Sequence, residues 1–402
     1  MKRSRWHFTA GFMILGILYL ISFNSCNSQV VFQLKHGEIT CGADRTERYL
    51  SLLQGKWVGV VANASSRIGE VHLVDSLLRL GINIRRVFAP EHGFRGDMDA
   101  GAIVKDGYDP VTGLPVSSLY SVRKKPDAAD LKDLDLMLFD LQDVGVRFYT
   151  YLSTLHYVME SCAENDLPLL LLDRPNPNGF YVDGPVLEPE YRSFVGMHPV
   201  PVVYGMTLGE YAGMINGEKW LKEGVQCRLT VIPCEGYDHL TVYDPPVRPS
   251  PNLPNLTAIN LYPSLCFFEG TVVSVGRGTP WPFQVFGHPD FDMPFTFKPE
   301  PVAGASLHPK FEGEVCHGID LRNNGLDSVM NRPGLYLGWL IDAYRAFGLR
   351  PEFFNDYFDR LAGAGKLREQ ILKGWSEKQI RAAWEPALSR FRKIRSRYLI
   401  YP

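Results

Sequence analysis

The sequence predicts an α/β protein built on a parallel sheet, and three observations carry that reading. First, four short, nearly continuous apolar runs, "KWVGVVANAS", "INIRRVFAPEHG", "LDLMLFDLQDVG" and "LPLLLLDRPNPNG", have the composition of strands buried on both faces. Second, segments of helical spacing lie between them. In "VHLVDSLLRLG" the residues Leu73, Leu77, Leu78 and Leu80 form one stripe with Gly81 as a C-cap, and "TYLSTLHYVMESCAEND" is a second helix. Third, every run ends in polar groups: Asn63, then Glu91 and His92, then Asp140, Gln142 and Asp143, then Asp173 and Arg174. The carboxyl ends of parallel strands share one edge, where loops converge and ligands bind. Each of these groups alone is ordinary turn or cap chemistry. Four sets at one edge favour a site.

Beyond Gly184 the rhythm changes. "GMTLGEYAGMING" is a predicted helix in which Thr207 and Glu210 have capping-box spacing, and "CRLTVIPCEGY" is a further strand. "DPPVRPSPNLPN" is too proline-rich for regular structure, "LTAINLYPSLCFFEG" contains a short helix, and "GTVVSVGRGTPWPFQVFG" reads as strand-like. From about Gly334 the tail is helical, through "YLGWLIDAYRAFG" and "KLREQILKGWSEKQIRAAW". A chain of 402 residues is long enough for two domains. We place an α/β domain over residues 37–265 and a smaller α+β domain over residues 266–402.

Residues 1–26 read as an export signal. Lys2, Arg3 and Arg5 precede an apolar stretch from Gly11 to Phe23 that is too short for a comfortable membrane span. Ser25 precedes Cys26, as at the processing site of bacterial lipoproteins, so the mature chain is expected to be lipid-anchored or, after ordinary cleavage near Ser28, periplasmic. An oxidising compartment would permit a disulfide among the remaining six cysteines, with Cys227 and Cys234 nearest in sequence.

The formal net charge of −2 and the lack of a basic stripe argue against a nucleic-acid partner. Neither a P-loop nor a Rossmann glycine fingerprint is present, so no nucleotide cofactor is expected; "SVGRGTP" lacks the lysine that grips phosphates. No G-x-S-x-G elbow marks a serine hydrolase. His92 with Asp140 or Asp143 lacks the spacing of a metal site, and no metal is expected. Carboxylates and arginines at a loop-lined edge remain, an inventory suited to polar, sugar-like substrates.

The segments "FAPEHGFRGDMDAG", "TGLPVSSLY", "KKPDAADLKDLDLMLFDLQDVGVRFYTYLSTL", "LDRPNPNGFYVDGPVLE", "PSPNLPN", "YPSLCFFEGT" and "GRGT", in that order, resemble the motifs of the NamZ-type exo-β-N-acetylmuramidases. The resemblance runs from about Gly37 onward. It implies a Rossmann-like N-terminal domain, a smaller C-terminal domain and a cleft between them. It also implies release of N-acetylmuramic acid from the non-reducing end of peptidoglycan-derived MurNAc–GlcNAc glycans. The Glu of the "PEHG" motif, the family's leading catalytic candidate, stands here as Glu91. Where many members have Glu in "SEGRGT", this chain has Val275, which turns interest to Glu269 in "FEGT".

Glycosidic cleavage needs a proton for the leaving oxygen and stabilisation of an oxocarbenium-like transition state on the opposite face. Glu91, between Phe88, Pro90 and Phe94, is the expected proton donor, with His92 tuning it or binding substrate. Asp143 or Asp140 would be base or nucleophile, and the substrate's own 2-acetamido group is a third option. Substrate contacts are expected from Asn63, Asp173 and Glu269. Arg95, Arg147, Arg174 and Arg277 are candidates for a bidentate clamp on the lactyl carboxylate, although some of them would instead pair with Asp140, Asp143 or Asp173. Two other readings stand beside the glycosidase: a non-catalytic muropeptide-binding surface lipoprotein, and a periplasmic phosphatase or esterase.

Overall fold

A computed structural model describes residues 35–96, 106–120, 123–324 and 334–402; the export signal and Cys26 lie outside them. Seven strands form the main sheet: β1 Trp57–Ala62, β2 Asn83–Ala89, β3 Gly107–Tyr108, β4 Pro115–Ser118, β5 Leu136–Asp140, β6 Leu169–Leu172 and β7 Leu229–Ile232. Their order is β3-β4-β2-β1-β5-β6-β7. Every pair is parallel except β3 with β4, which closes one edge as an antiparallel ribbon. The six parallel strands thus have doubly wound order, with the switch between β1 and β5.

Alternation along the strands divides the interior in two. Val58, Val60, Ala62, Val87, Leu138, Leu170 and Leu172 face one core, closed by Leu73, Val74 and Leu77 of helix α1 (Leu73–Arg79) and by Tyr49 and Leu53. Val61, Phe88, Met137, Phe139, Leu169 and Leu171 face the other. That second core takes Leu152, Leu155, Val158 and Met159 of α2 (Tyr151–Glu164) and Tyr211, Met214 and Ile215 of α3 (Leu208–Gly217). It continues without a break through Leu265, Phe267, Phe286, Leu340, Phe358 and Trp384. Residues on both sides of position 266 therefore share one interior.

Capping follows the sequence. Thr207 and Glu210 form the reciprocal box that starts α3, and Asn255 caps α4 (Leu256–Leu265) through a bond from the Ala258 amide. The later helices are α5 Gly338–Ala346, α6 Tyr357–Ala362, α7 Lys366–Leu372 and α8 Glu377–Arg395, the last burying Ile380, Trp384, Leu388 and Phe391 on one stripe. A small antiparallel sheet joins Val285–His288, Cys316–Asp320 and Phe295–Phe297 in that spatial order.

The strand-like stretch from Gly270 is regular only at its end. Positive φ at Gly276 and Gly278 turns the chain, and the Thr271 and Val273 carbonyls accept from Lys310 Nζ at 2.6 and 3.0 Å instead of from a ladder.

The six described cysteines are buried and none is disulfide-bonded. The partners differ from sequence proximity. Cys234 lies beside Cys41 and Cys227 beside Cys162. Among the described residues no helix is long and apolar enough to cross a membrane.

Candidate active site

The turn after β2 supplies the central acid. The Gly93 amide donates to the Pro90 carbonyl at 3.1 Å. His92, third in this turn, has φ 72°, a left-handed value that glycine usually supplies at that position. Holding a non-glycine residue there costs about 1 kcal/mol. The gain is positional: Glu91 and His92, adjacent in sequence, line the same cavity of about 380 Å³.

Arg95 anchors the turn from behind. It donates to both oxygens of Asp75 at 3.0 Å and to Asp109 at 2.7 and 3.1 Å. Burial would raise the Asp109 carboxyl, but Arg95 and Thr112 outweigh it and hold that carboxyl down at about 2. Arg95 is thus committed to the protein's own carboxylates.

Glu91 is held by hydroxyls. Thr150 Oγ1 donates to its Oε2 at 2.8 Å, Tyr151 donates to its carbonyl at 3.4 Å, and the Tyr120 phenol lies beside it in the cavity. His92 Nε2 lies 3.2 Å from Ser250 Oγ. Tyr149 fixes the loop that carries Ser250 by donating to the Pro249 carbonyl at 2.6 Å. The same cavity receives Glu269 and Arg277, paired at 2.6 Å, with the guanidinium 5.0 Å from the Phe283 ring centre. Phe148, Phe194, Tyr262 and Tyr357 add aromatic wall. Aromatic faces beside carboxylates and an arginine suit a sugar with one charged substituent.

The switch point between β1 and β5, where a doubly wound sheet often holds its ligand, is filled by the chain itself. Asn63 donates to Tyr151 at 2.7 Å and accepts from Ser65, while Ser66 Oγ donates to the Asp140 carbonyl at 2.5 Å.

Two family profiles match the chain: "Exo-beta-N-acetylmuramidase NamZ, N-terminal" over residues 58–257 and its C-terminal counterpart over residues 260–401. The chain belongs to the NamZ family. The peptidoglycan beta-N-acetylmuramidase NamZ of Bacillus subtilis strain 168 is 36% identical over 426 aligned positions, covering all of both chains. Crystal structures of two DUF1343 family proteins of Bacteroides fragilis share the architecture. One is 44% identical with a TM-score of 0.85, the other 28% identical with a TM-score of 0.76, and each covers 90% of this chain and 99% of its own.

Of the residues singled out in this NamZ-family sequence, Glu91, His92, Glu269 and Arg277 line the cavity. The others are held by partners elsewhere in the fold, Arg95 by Asp75 and Asp109. Arg174 grips Asp140 through two bonds, 2.5 and 2.8 Å, and Asp140 is fully buried. Asp143 accepts from the Gly145 amide at 2.6 Å and from the Tyr204 phenol; burial pushes its carboxyl up to about 6. Asp173 takes Thr207 Oγ1 at 2.6 Å, the Gly209 amide at 2.9 Å and Tyr401 at 2.7 Å, and burial pushes it up to about 6 as well. Arg147 donates to four backbone carbonyls and has no carboxylate partner among the described residues. The shared strand edge therefore became a mutual network, and only its β2 member turns outward.

Thr150, Tyr120 and Ser250 went unremarked in the sequence because they carry no charge. Their signal was present, since each lies inside a quoted motif: "VRFYTYLSTL", "TGLPVSSLY" and "PSPNLPN". Among the described residues no group of three or more His, Cys, Asp or Glu is placed to hold a metal.

Proposed function

We infer that this protein is an exo-acting glycoside hydrolase that releases N-acetylmuramic acid from the non-reducing end of peptidoglycan-derived glycans, with Glu91 as the proton donor. The observation that carries this reading is the placement of Glu91. It is presented into an aromatic-walled cavity and oriented there by Thr150, with the Tyr120 phenol beside it. Arg277 is our candidate for the lactyl clamp. Its Nε is tied to Glu269, whereas its terminal nitrogens make no hydrogen bond among the described residues. Glu269 then acts as the anchor of Arg277, and the substrate's 2-acetamido group is left to attack from the face opposite Glu91.

The test is Glu91→Gln, which keeps size and hydrogen bonding but removes the transferable proton. On a chromogenic muramyl substrate kcat should fall at least about a hundredfold with the melting temperature unchanged. A folded variant with full turnover would put the acid elsewhere. Arg277→Met should raise KM for the muramyl substrate far more than for its glucosaminyl analogue, and equal weakening of both would remove the clamp.

We also propose that the mature chain is exported, lipid-anchored at Cys26 or free in the periplasm. Its intact mass, with or without acyl chains, decides between the two.

A further inference from the structure

A second cleft, of about 530 Å³, adjoins the catalytic cavity, and the two share the Phe194 ring as a wall. Three rings run from one to the other. Tyr120, which lines the first cavity with Glu91, lies 6.0 Å from Phe194 between centroids, and Phe194 lies 6.3 Å from Tyr157 with planes only 16° apart. Tyr157 belongs to the second cleft alone. Phe194 is tilted 54° to Tyr120 and stacks on Tyr157, so the three rings make a continuous aromatic wall from one cavity to the other, along which a glycan can lie.

The cleft is also cationic where it meets the row. Lys124 Nζ sits 4.5 Å from the Phe194 ring centre, and Arg192 lines the same cleft from an exposed position. Neither side chain has a carboxylate partner among the described residues. Of the acidic residues in the cleft, Glu160 is already occupied by Lys125 at 2.8 Å and by the Lys222 amide at 2.8 Å, and Glu223 stands on the rim beside Lys222. His156 is turned to His198, 2.9 Å away.

An enzyme that takes the non-reducing terminal sugar has chain on one side of the scissile bond only. In an alternating glycan the first leaving sugar is uncharged N-acetylglucosamine. The second is another muramic acid with a lactyl carboxylate. We propose that the second cleft is a leaving-chain subsite for that second muramyl residue, with Lys124 and Arg192 receiving its carboxylate and the stacked Phe194–Tyr157 pair walling its ring. This rests on the muramidase reading and deepens it to a preference for glycan length.

The experiment compares kcat/KM for MurNAc–GlcNAc, for MurNAc–GlcNAc–MurNAc, and for the trisaccharide with its reducing-end lactyl carboxylate methyl-esterified. The wild type should favour the free-acid trisaccharide about fivefold, the scale of one partly exposed charge contact. The Lys124→Met/Arg192→Met double variant should lose that preference while turning over the disaccharide at the wild-type rate. The ester should behave as the double variant does. Equal kcat/KM for disaccharide and trisaccharide in the wild type, or a preference that survives the double substitution, overturns the subsite. Failure to cleave even the disaccharide overturns the muramidase reading itself and is distinguishable from both.

Discussion

Replacing Arg147 by methionine separates a structural seam from a substrate clamp. The side chain is 1% exposed. Its guanidinium donates to the carbonyls of Pro185 and Val200 at 2.8 Å, Leu361 at 2.9 Å and Ala362 at 2.7 Å. The Val200 carbonyl also accepts from the Leu187 amide at 3.1 Å, so the substitution strands mainly the other three. Hydrogen bonds from a charged donor contribute about 1.5–3 kcal/mol each, or roughly 6–12 kcal/mol for four. Relief from burying a guanidinium without a counter-charge returns several kcal/mol. The net loss is about 4 kcal/mol, a large part of an ordinary folding free energy. For a chain of 402 residues that lowers the melting temperature by about 5 °C.

Lysine should recover less than half, because its donors radiate from one point and do not span four carbonyls. Neighbouring Gly363, with φ 69°, leaves no slack: a Cβ there would meet Arg147 Nη2 at 2.6 Å. The assay pairs thermal unfolding with KM for muramyl and glucosaminyl substrates. A variant melting within about 2 °C of wild type, with KM raised selectively for the muramyl substrate, would refute this reasoning and return Arg147 to the clamp.

Thr150→Val removes the 2.8 Å bond to Glu91 and should lower kcat about tenfold with KM and melting temperature unchanged; an unaltered kcat would mean that Thr150 does not orient the acid. Asp173, pushed up to about 6, holds a proton in the fold that the unfolded chain releases near its ordinary 3.8. Wild-type stability relative to Asp173→Asn should therefore fall as pH rises, by about 1.4 kcal/mol between pH 5 and 7.5, as read by urea unfolding. Thr40 and Glu235 exchange both backbone bonds, at 2.9 and 2.8 Å, which makes Cys41 and Cys234 the next cross-strand pair. With oxidised glutathione as electron acceptor, peptide mapping should find a Cys41–Cys234 disulfide and no Cys227–Cys234 bond.

The sheet was legible because strands buried on both faces leave continuous apolar runs, and the runs ending at Ala62, Ala89, Asp140 and Leu172 are four of its central strands. Strands β3 and β4 escaped because a two-residue ribbon and "PVSS" carry no such pattern. Glu91 stood out through its turn chemistry, proline before it and glycine two residues after. Asp140, Asp143, Asp173, Arg147 and Arg174 looked alike in the sequence. What separates them from Glu91 is pairing across the fold. Arg174 finds Asp140 over 34 positions and Arg147 finds Leu361 over 214, and no local spacing encodes either contact.

Those distances bear on the order in which the molecule is assembled. Tyr401 reaches Asp173 across 228 positions, and the backbone amides of Ile400 and Tyr401 donate to Glu210 across 190 and 191. The polar groups at the sheet edge thus wait for partners made long after them, and the core on that face stays open until residues beyond 340 arrive. Contacts so far apart along the chain close late and slowly. A polypeptide with this wiring cannot seal its second core until its synthesis is almost finished.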